Sequence, residues 1–260
     1  MLKVDNLKIT ARSSREVLVK NVSFDVGKSE TLGLIGESGS GKSLTSKAIM
    51  QLLNKRVFST EGSIKWKDTE ILGRNANLPK GYRGSQIAMI TQNPMTAFAP
   101  MIRLGQQIEM GFDLKGRQAK SDFYEQLDSA LKKVNLNDMR KIIHSYPDEL
   151  SGGMLQRVMI AVTMMQKPDL IIADECTTAV DCASEYMILK ELEKLRKDGM
   201  SMIVVTHDFG VAARLCDRVA VMKQGEIIEQ GNKFNVFTSP QEDYTKELAQ
   251  ASVLFQEDVC

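Results

Sequence analysis

The chain opens on two stretches in which apolar and polar positions alternate, Leu2 to Thr10 and Val17 to Val26, and this period of two predicts half-buried strands. Thr31-Leu32-Gly33-Leu34-Ile35 is a short apolar run that predicts a buried strand. A glycine-rich loop follows it, and Lys42 to Leu53 then takes helical spacing. Gly62 to Lys67 and Ile87 to Thr91 carry further strand patterns. From Pro100 to about Gln166 the periodicity becomes helical with polar loops, as in Phe123 to Val134, where Phe123, Leu127 and Leu131 share one face. Leu170 to Ala173 and Met202 to Val205 predict buried strands separated by a helix from Ala183 to Lys197, the order of a parallel sheet. Val219 to Lys223 and Glu226 to Gln230 flank a Gln224-Gly225 turn, and a terminal helix is expected after Pro240. The pattern is α/β, one domain over 1–260, with a core of 1–93 and 167–260 interrupted by a helical insert of about 94–166.

Bulk composition narrows the function classes. The chain has 260 residues and is 43% hydrophobic, enough for a full core. Its 34 basic residues are balanced by 33 acidic ones, a net charge of +1 that gives no electrostatic reason to expect nucleic acid. The opening MLKVDNLKIT lacks the apolar core and cleavage site of a signal peptide, so export is not expected. The most apolar stretch, Val158 to Met165, falls far short of the roughly 20 residues that span a bilayer, so a membrane role would be peripheral. Cys176, Cys182, Cys216 and Cys260 have no zinc-ligand spacing and read as free thiols, while the 15 methionines scatter through apolar segments as packing residues.

Three segments carry chemistry. Gly36-Glu37-Ser38-Gly39-Ser40-Gly41-Lys42-Ser43 fits G-x-x-x-x-G-K-[ST], a loop whose backbone amides close around phosphate at a helix N-terminus. Lys42 is expected on the β- and γ-phosphates of ATP and Ser43 on Mg²⁺, with Thr45 a weaker candidate for the α-phosphate. Leu170-Ile171-Ile172-Ala173-Asp174-Glu175 is an apolar strand ending in two acids. There Asp174 suits the Mg²⁺-orienting role, and Glu175 could polarise the attacking water as a general base or by hydrogen bonding. Leu150-Ser151-Gly152-Gly153 precedes a helix containing Gln156 and Arg157, and Ser151 with the amides of Gly152 and Gly153 forms a second anion site.

LSGG before that helix, between the phosphate loop and the acidic strand, resembles the signature of ABC-type nucleotide-binding domains, and the resemblance covers essentially the whole chain. It implies a P-loop NTPase (RecA-like) core with an antiparallel β subdomain and an inserted α-helical subdomain carrying the signature. Two such subunits would sandwich two nucleotides, with Ser151, Gly152, Gly153 and Gln156 acting on ATP held by the partner. By the same resemblance Gln92 is the Q-loop glutamine that touches Mg²⁺, Asp181 the D-loop aspartate, and His207 the switch histidine at the γ-phosphate. Two positions depart from the family. No aromatic residue precedes Phe24 to stack on adenine, so Arg12 or Arg15 is the expected contact. Cys176 stands where proline usually follows the catalytic glutamate, and retained activity is expected.

Gln92-Asn93-Pro94-Met95-Thr96-Ala97-Phe98-Ala99-Pro100 and Tyr146 to Arg157 resemble the importers of oligopeptides, dipeptides and nickel, and Ser239-Pro240 and Tyr244-Thr245-Lys246 fit as well. Membership would imply a second homologous ATPase subunit, two integral membrane permeases, an extracytoplasmic binding protein, and a place on the cytoplasmic face of the membrane. Phe98-Ala99-Pro100, Met154-Leu155-Gln156-Arg157 and the lack of a longer C-terminal extension lean toward nickel or a nickel chelate, with peptide as the alternative. Substrate would touch the permease and binding protein, so neither histidine, His144 nor His207, is expected to hold nickel. A soluble ABC ATPase working on ribosomes or DNA would be expected to carry two such domains or a long coiled coil, and neither pattern is present.

Overall fold

The computed structural model describes the chain except for residues 74, 75, 77, 113, 115, 178–181 and 258–260 and the side chains of 117, 182, 183 and 251–257. The described residues form two compact units, Met1–Tyr82 with Arg196–Cys260, and Arg83–Leu195. The first begins with β1 (Leu2–Ala11), β2 (Val17–Val26), β3 (Thr31–Ile35), α1 (Lys42–Ile49), β4 (Phe58–Trp66) and β5 (Thr69–Glu70). The second holds β6 (Ile87–Ile90), α2 (Leu104–Met110), α3 (Gly116–Lys133), α4 (Met139–His144), α5 (Gly152–Gln166), β7 (Leu170–Asp174) and all but the last two residues of α6 (Cys182–Lys197). The chain then returns to the first through β8 (Ser201–Thr206), α7 (Phe209–Leu215), β9 (Arg218–Lys223), β10 (Glu226–Asn232), α8 (Lys233–Thr238) and α9 (Asp243–Glu257).

In the first unit β2, β1, β4 and β5 make an antiparallel sheet in that order. Buried positions in β1 run Leu2, Val4, Leu7, Ile9, a phase change that a strict period of two does not allow. A register shift between Val4 and Leu7 absorbs it, with Asn6 in the left-handed region at φ 50°. Gly62 sits opposite at φ 101°, where a Cβ would lie 2.4 Å from the Asn6 carbonyl oxygen. β3 lies between β8 and β9, parallel to both, and all five of its residues are buried. Its last residue, Ile35, is in register with Thr206 and Val221, so the chain leaves β3 and β8 side by side at their carboxyl ends, the place where α/β sheets bind ligands.

In the second unit β6 and β7 pair in parallel from Ile87↔Leu170 to Ile90↔Ala173. Phe123, Leu127 and Leu131 are buried on α3, which packs against the signature helix α5. Two helices depart from the sequence expectation. α1 ends at Ile49 instead of Leu53, because Gln51 turns left-handed at φ 53° and donates its side-chain amide to the Ala48 carbonyl at 2.8 Å. α3 starts at Gly116, earlier than Phe123, whereas the terminal helix α9 starts at Asp243, after Pro240 as expected.

Candidate nucleotide site

The phosphate loop leaves β3 at Gly36, whose φ of 153° and surroundings admit no side chain: a Cβ there would meet the Met222 carbonyl oxygen at 2.1 Å. Ser40 donates its N–H to the Glu37 carbonyl at 3.2 Å and accepts at its own carbonyl from the Gly225 N–H at 3.1 Å, so the β9–β10 turn braces the loop. Glu37, Ser38 and Gly39 form an exposed crown. Gly41, at φ 103°, is the N-cap of α1 and makes no side-chain cap hydrogen bond, and a helix N-terminus is where backbone amides favour an anion. Lys42 is buried, and its Nζ donates to the carbonyls of Gly36 at 2.6 Å and Glu37 at 2.8 Å. Ser43 lies in the first turn of α1, half-buried. Thr45 is fully buried and donates its hydroxyl to the Gly41 carbonyl at 3.0 Å. His207 directly follows Thr206, the register partner of Ile35, and is exposed just before the helix cap of Asp208, which accepts from the Gly210 and Val211 amides. The first unit therefore brings His207 and the phosphate loop to one end of one sheet.

The second unit brings together the other predicted groups. Gln92 and Glu175 each lie two residues past the last paired positions, Ile90 and Ala173, and the Gln92 side-chain amide donates to the Glu175 carboxylate at 2.9 Å. Asp174 ends β7 with 5% exposure. Glu175 has a φ of 46°, uncommon for a non-glycine residue and a form of strain that clusters at functional sites. Gln156 reaches from α5 to the Thr91 carbonyl at 3.3 Å, tying the signature helix to the residue before Gln92. No sequence signal marks that link, since Thr91 takes part through its backbone.

Ser151 is the N-cap of α5, accepting from the Met154 N–H at 3.2 Å, and a Cβ at Gly152 would meet nothing within 4 Å, so close approach by a ligand is open there. Gly153 offers its carbonyl to Arg157 Nε at 3.2 Å. The Arg12 Nε donates to the carbonyls of Lys55 and Phe58 at 3.0 and 3.3 Å, and Arg15 is exposed. Asp181, expected in the D-loop, lies outside the described residues.

Cys176 is buried, and burial pushes its thiol up to about 12. A neutral, buried thiol is a poor nucleophile. Alkylation of the folded protein with iodoacetamide at pH 8, followed by peptide mass spectrometry, is expected to leave Cys176 unmodified until denaturant is added.

A phosphate loop at the end of a parallel strand, with a strand-borne acid pair and a helical part carrying LSGG, defines a P-loop NTPase of mixed α/β fold. A family profile described as ABC transporter matches residues 19–178. The metal-staphylopine import system ATP-binding protein CntD of Staphylococcus aureus (strain NCTC 8325) is 41% identical over 249 residues, 95% of this chain and 92% of that protein. The dipeptide transport ATP-binding protein DppD of Bacillus subtilis is 39% identical over 252 residues, 95% of this chain and 75% of that protein. Among solved structures, a dimeric bacterial ABC transporter cassette superposes with a TM-score of 0.75 at 27% identity, covering 90% of this chain and 99% of that one. The chain belongs to the ABC transporter family, as an ATP-binding subunit of its import branch.

Proposed function

We propose that the chain binds ATP between the phosphate loop and the signature of a second, homologous subunit, and hydrolyses it to drive import through two membrane permeases. The observation that carries this reading is the Gln92 to Glu175 hydrogen bond of 2.9 Å, which joins two separately predicted motifs at one point. Lys42, already oriented by two carbonyls, supplies positive charge to the β- and γ-phosphates, and the uncapped amides of α1 supply donors. Glu175 takes the proton of the attacking water or orients it by hydrogen bonding, Gln92 holds Glu175, and His207 contacts the γ-phosphate. Thr45 and Arg12 or Arg15 are assigned the weaker contacts to the α-phosphate and adenine. Ser151, Gly152 and Gly153 act on the partner's nucleotide, and Asp181 communicates across the pair; Gln156, expected to join them, is instead buried and bonded to the Thr91 carbonyl, so it positions the signature helix. The Ser43 hydroxyl, the Gln92 side-chain carbonyl and the buried Asp174 carboxylate are each oxygen donors of the kind Mg²⁺ takes and are the groups we assign to hold it; a bound ion would neutralise charge on the phosphates.

No helix among the described residues is long and apolar enough to cross a membrane. Attachment to the cytoplasmic face would run through the permeases, and the exposed Met95, Met101 and Met110 offer an adaptable apolar surface for them. The cargo we assign is nickel or a nickel chelate, delivered by an extracytoplasmic binding protein, a reading supported by the 41% identity to the ATP-binding protein of a metal-staphylopine import system. Peptide is the second reading, supported by the 39% identity to a dipeptide transport ATPase. Deleting the gene is expected to lower cellular nickel accumulation several-fold while labelled di- and tripeptide uptake is unchanged. Loss of peptide uptake with normal nickel would reverse the assignment.

A further inference from the structure

Tyr244 lies in the first turn of α9, far along the chain from the phosphate loop, yet its hydroxyl accepts the Glu37 N–H at 3.1 Å. The peptide unit that carries this N–H also carries the Gly36 carbonyl, which accepts from Lys42 Nζ at 2.6 Å. A trans peptide is planar, with its N–H and C=O pointing in opposite directions. Tyr244 therefore grips one edge of a rigid plate whose other edge holds the phosphate-binding lysine. Rotating that plate breaks both bonds together, and donation by the N–H polarises the carbonyl toward the ammonium.

The surrounding residues fix the tyrosine. It is 7% exposed, and the Lys223 ammonium lies 4.4 Å from its ring centroid. Glu229 of β10 accepts from the Gln241 and Glu242 amides at 3.0 and 3.2 Å, pinning the chain where it enters α9, and Thr245 beside Tyr244 is fully buried. Burial raises the phenol's pKa, so the hydroxyl stays neutral and able to accept from the amide at physiological pH. Neither the loop motif nor the acid pair requires any of these residues.

The geometry points to Tyr244 as a positioning residue for nucleotide binding, setting the Gly36–Glu37 peptide plane and through it the Lys42 ammonium. This rests on the nucleotide reading of the loop. The test is a comparison of wild type, Tyr244→Phe and Tyr244→Leu by MgATP and MgADP titration, by steady-state ATPase of the assembled complex, and by thermal melting without nucleotide. Phe keeps the ring and its cation contact and removes only the acceptor. It is expected to melt only about 2–4 °C below wild type, to bind both nucleotides about 3- to 10-fold more weakly, and to raise KM more than it lowers kcat, the scale of one hydrogen bond. Leu is expected to lose thermal stability as well. If Phe restores nucleotide affinity to within 1.5-fold of wild type, as it restores stability, Tyr244 only fills space and the inference fails. If wild type itself shows no saturable MgATP binding, the nucleotide reading fails first, and the two failures are told apart.

Discussion

Glu175→Gln protein, assembled with its partner subunits, is expected to bind MgATP as wild type does and to turn it over at least about 100-fold more slowly, the scale of a positioned general base. The amide is nearly isosteric with the carboxylate and still presents an oxygen to the Gln92 side chain, so the 2.9 Å link between the segments after β6 and β7 survives. What goes is the negative charge and the ability to take a proton from water. The left-handed backbone at Glu175, φ 46°, is unaffected by the change, so stability should hold within about 0.5 kcal/mol. Hydrolysis at the wild-type rate, with binding intact, would remove Glu175 from the mechanism.

The strands other than β5, and the three chemical segments, were legible because each has a strong local cause. β3 and β7 are continuous apolar runs, the form a strand takes when neighbours cover both faces, and all five residues of each are buried. The phosphate loop was legible because its glycines, lysine and serine sit at fixed offsets between a strand and a helix. Helices α2, α4, α7 and α8, of six or seven residues each, were not, since two turns carry too little periodicity. Their start signals were present in three cases: Asp138, Asp208 and Asn232 each cap a helix by accepting a backbone amide. Also illegible were the long-range backbone links, Gln156 to the Thr91 carbonyl, Gly225 to Ser40 and Glu37 to Tyr244. A main-chain partner leaves no mark in the side-chain pattern at its own position, which is why the bracing of the loop had to be seen in three dimensions.

That bracing bears on Gly36, which the loop motif fixes, and not on Gly39, which stands at one of its free positions. Gly36→Ala is expected to cost about 2–4 kcal/mol of stability and to weaken MgATP binding at least about 10-fold, because strain and overpacking act together. Its Cβ would be 2.1 Å from the Met222 carbonyl oxygen, a backbone atom held in β9 by pairing with β10, and 3.0 Å from Ser40 Oγ. Relief requires the loop to lift away from the β9–β10 turn, and the carbonyl that would shift first is the one holding Lys42. Gly39→Ala puts a side chain at φ 84° with nothing within 4 Å, so it meets backbone strain alone. The smaller conformational freedom of alanine in the unfolded chain offsets part of that, and the variant should stay within about 1 kcal/mol of wild type. Urea unfolding of both proteins without nucleotide is the measurement. Equal destabilisation would mean that the crowding at Gly36 is not what the loop depends on, and that its glycines serve only the approach of phosphate.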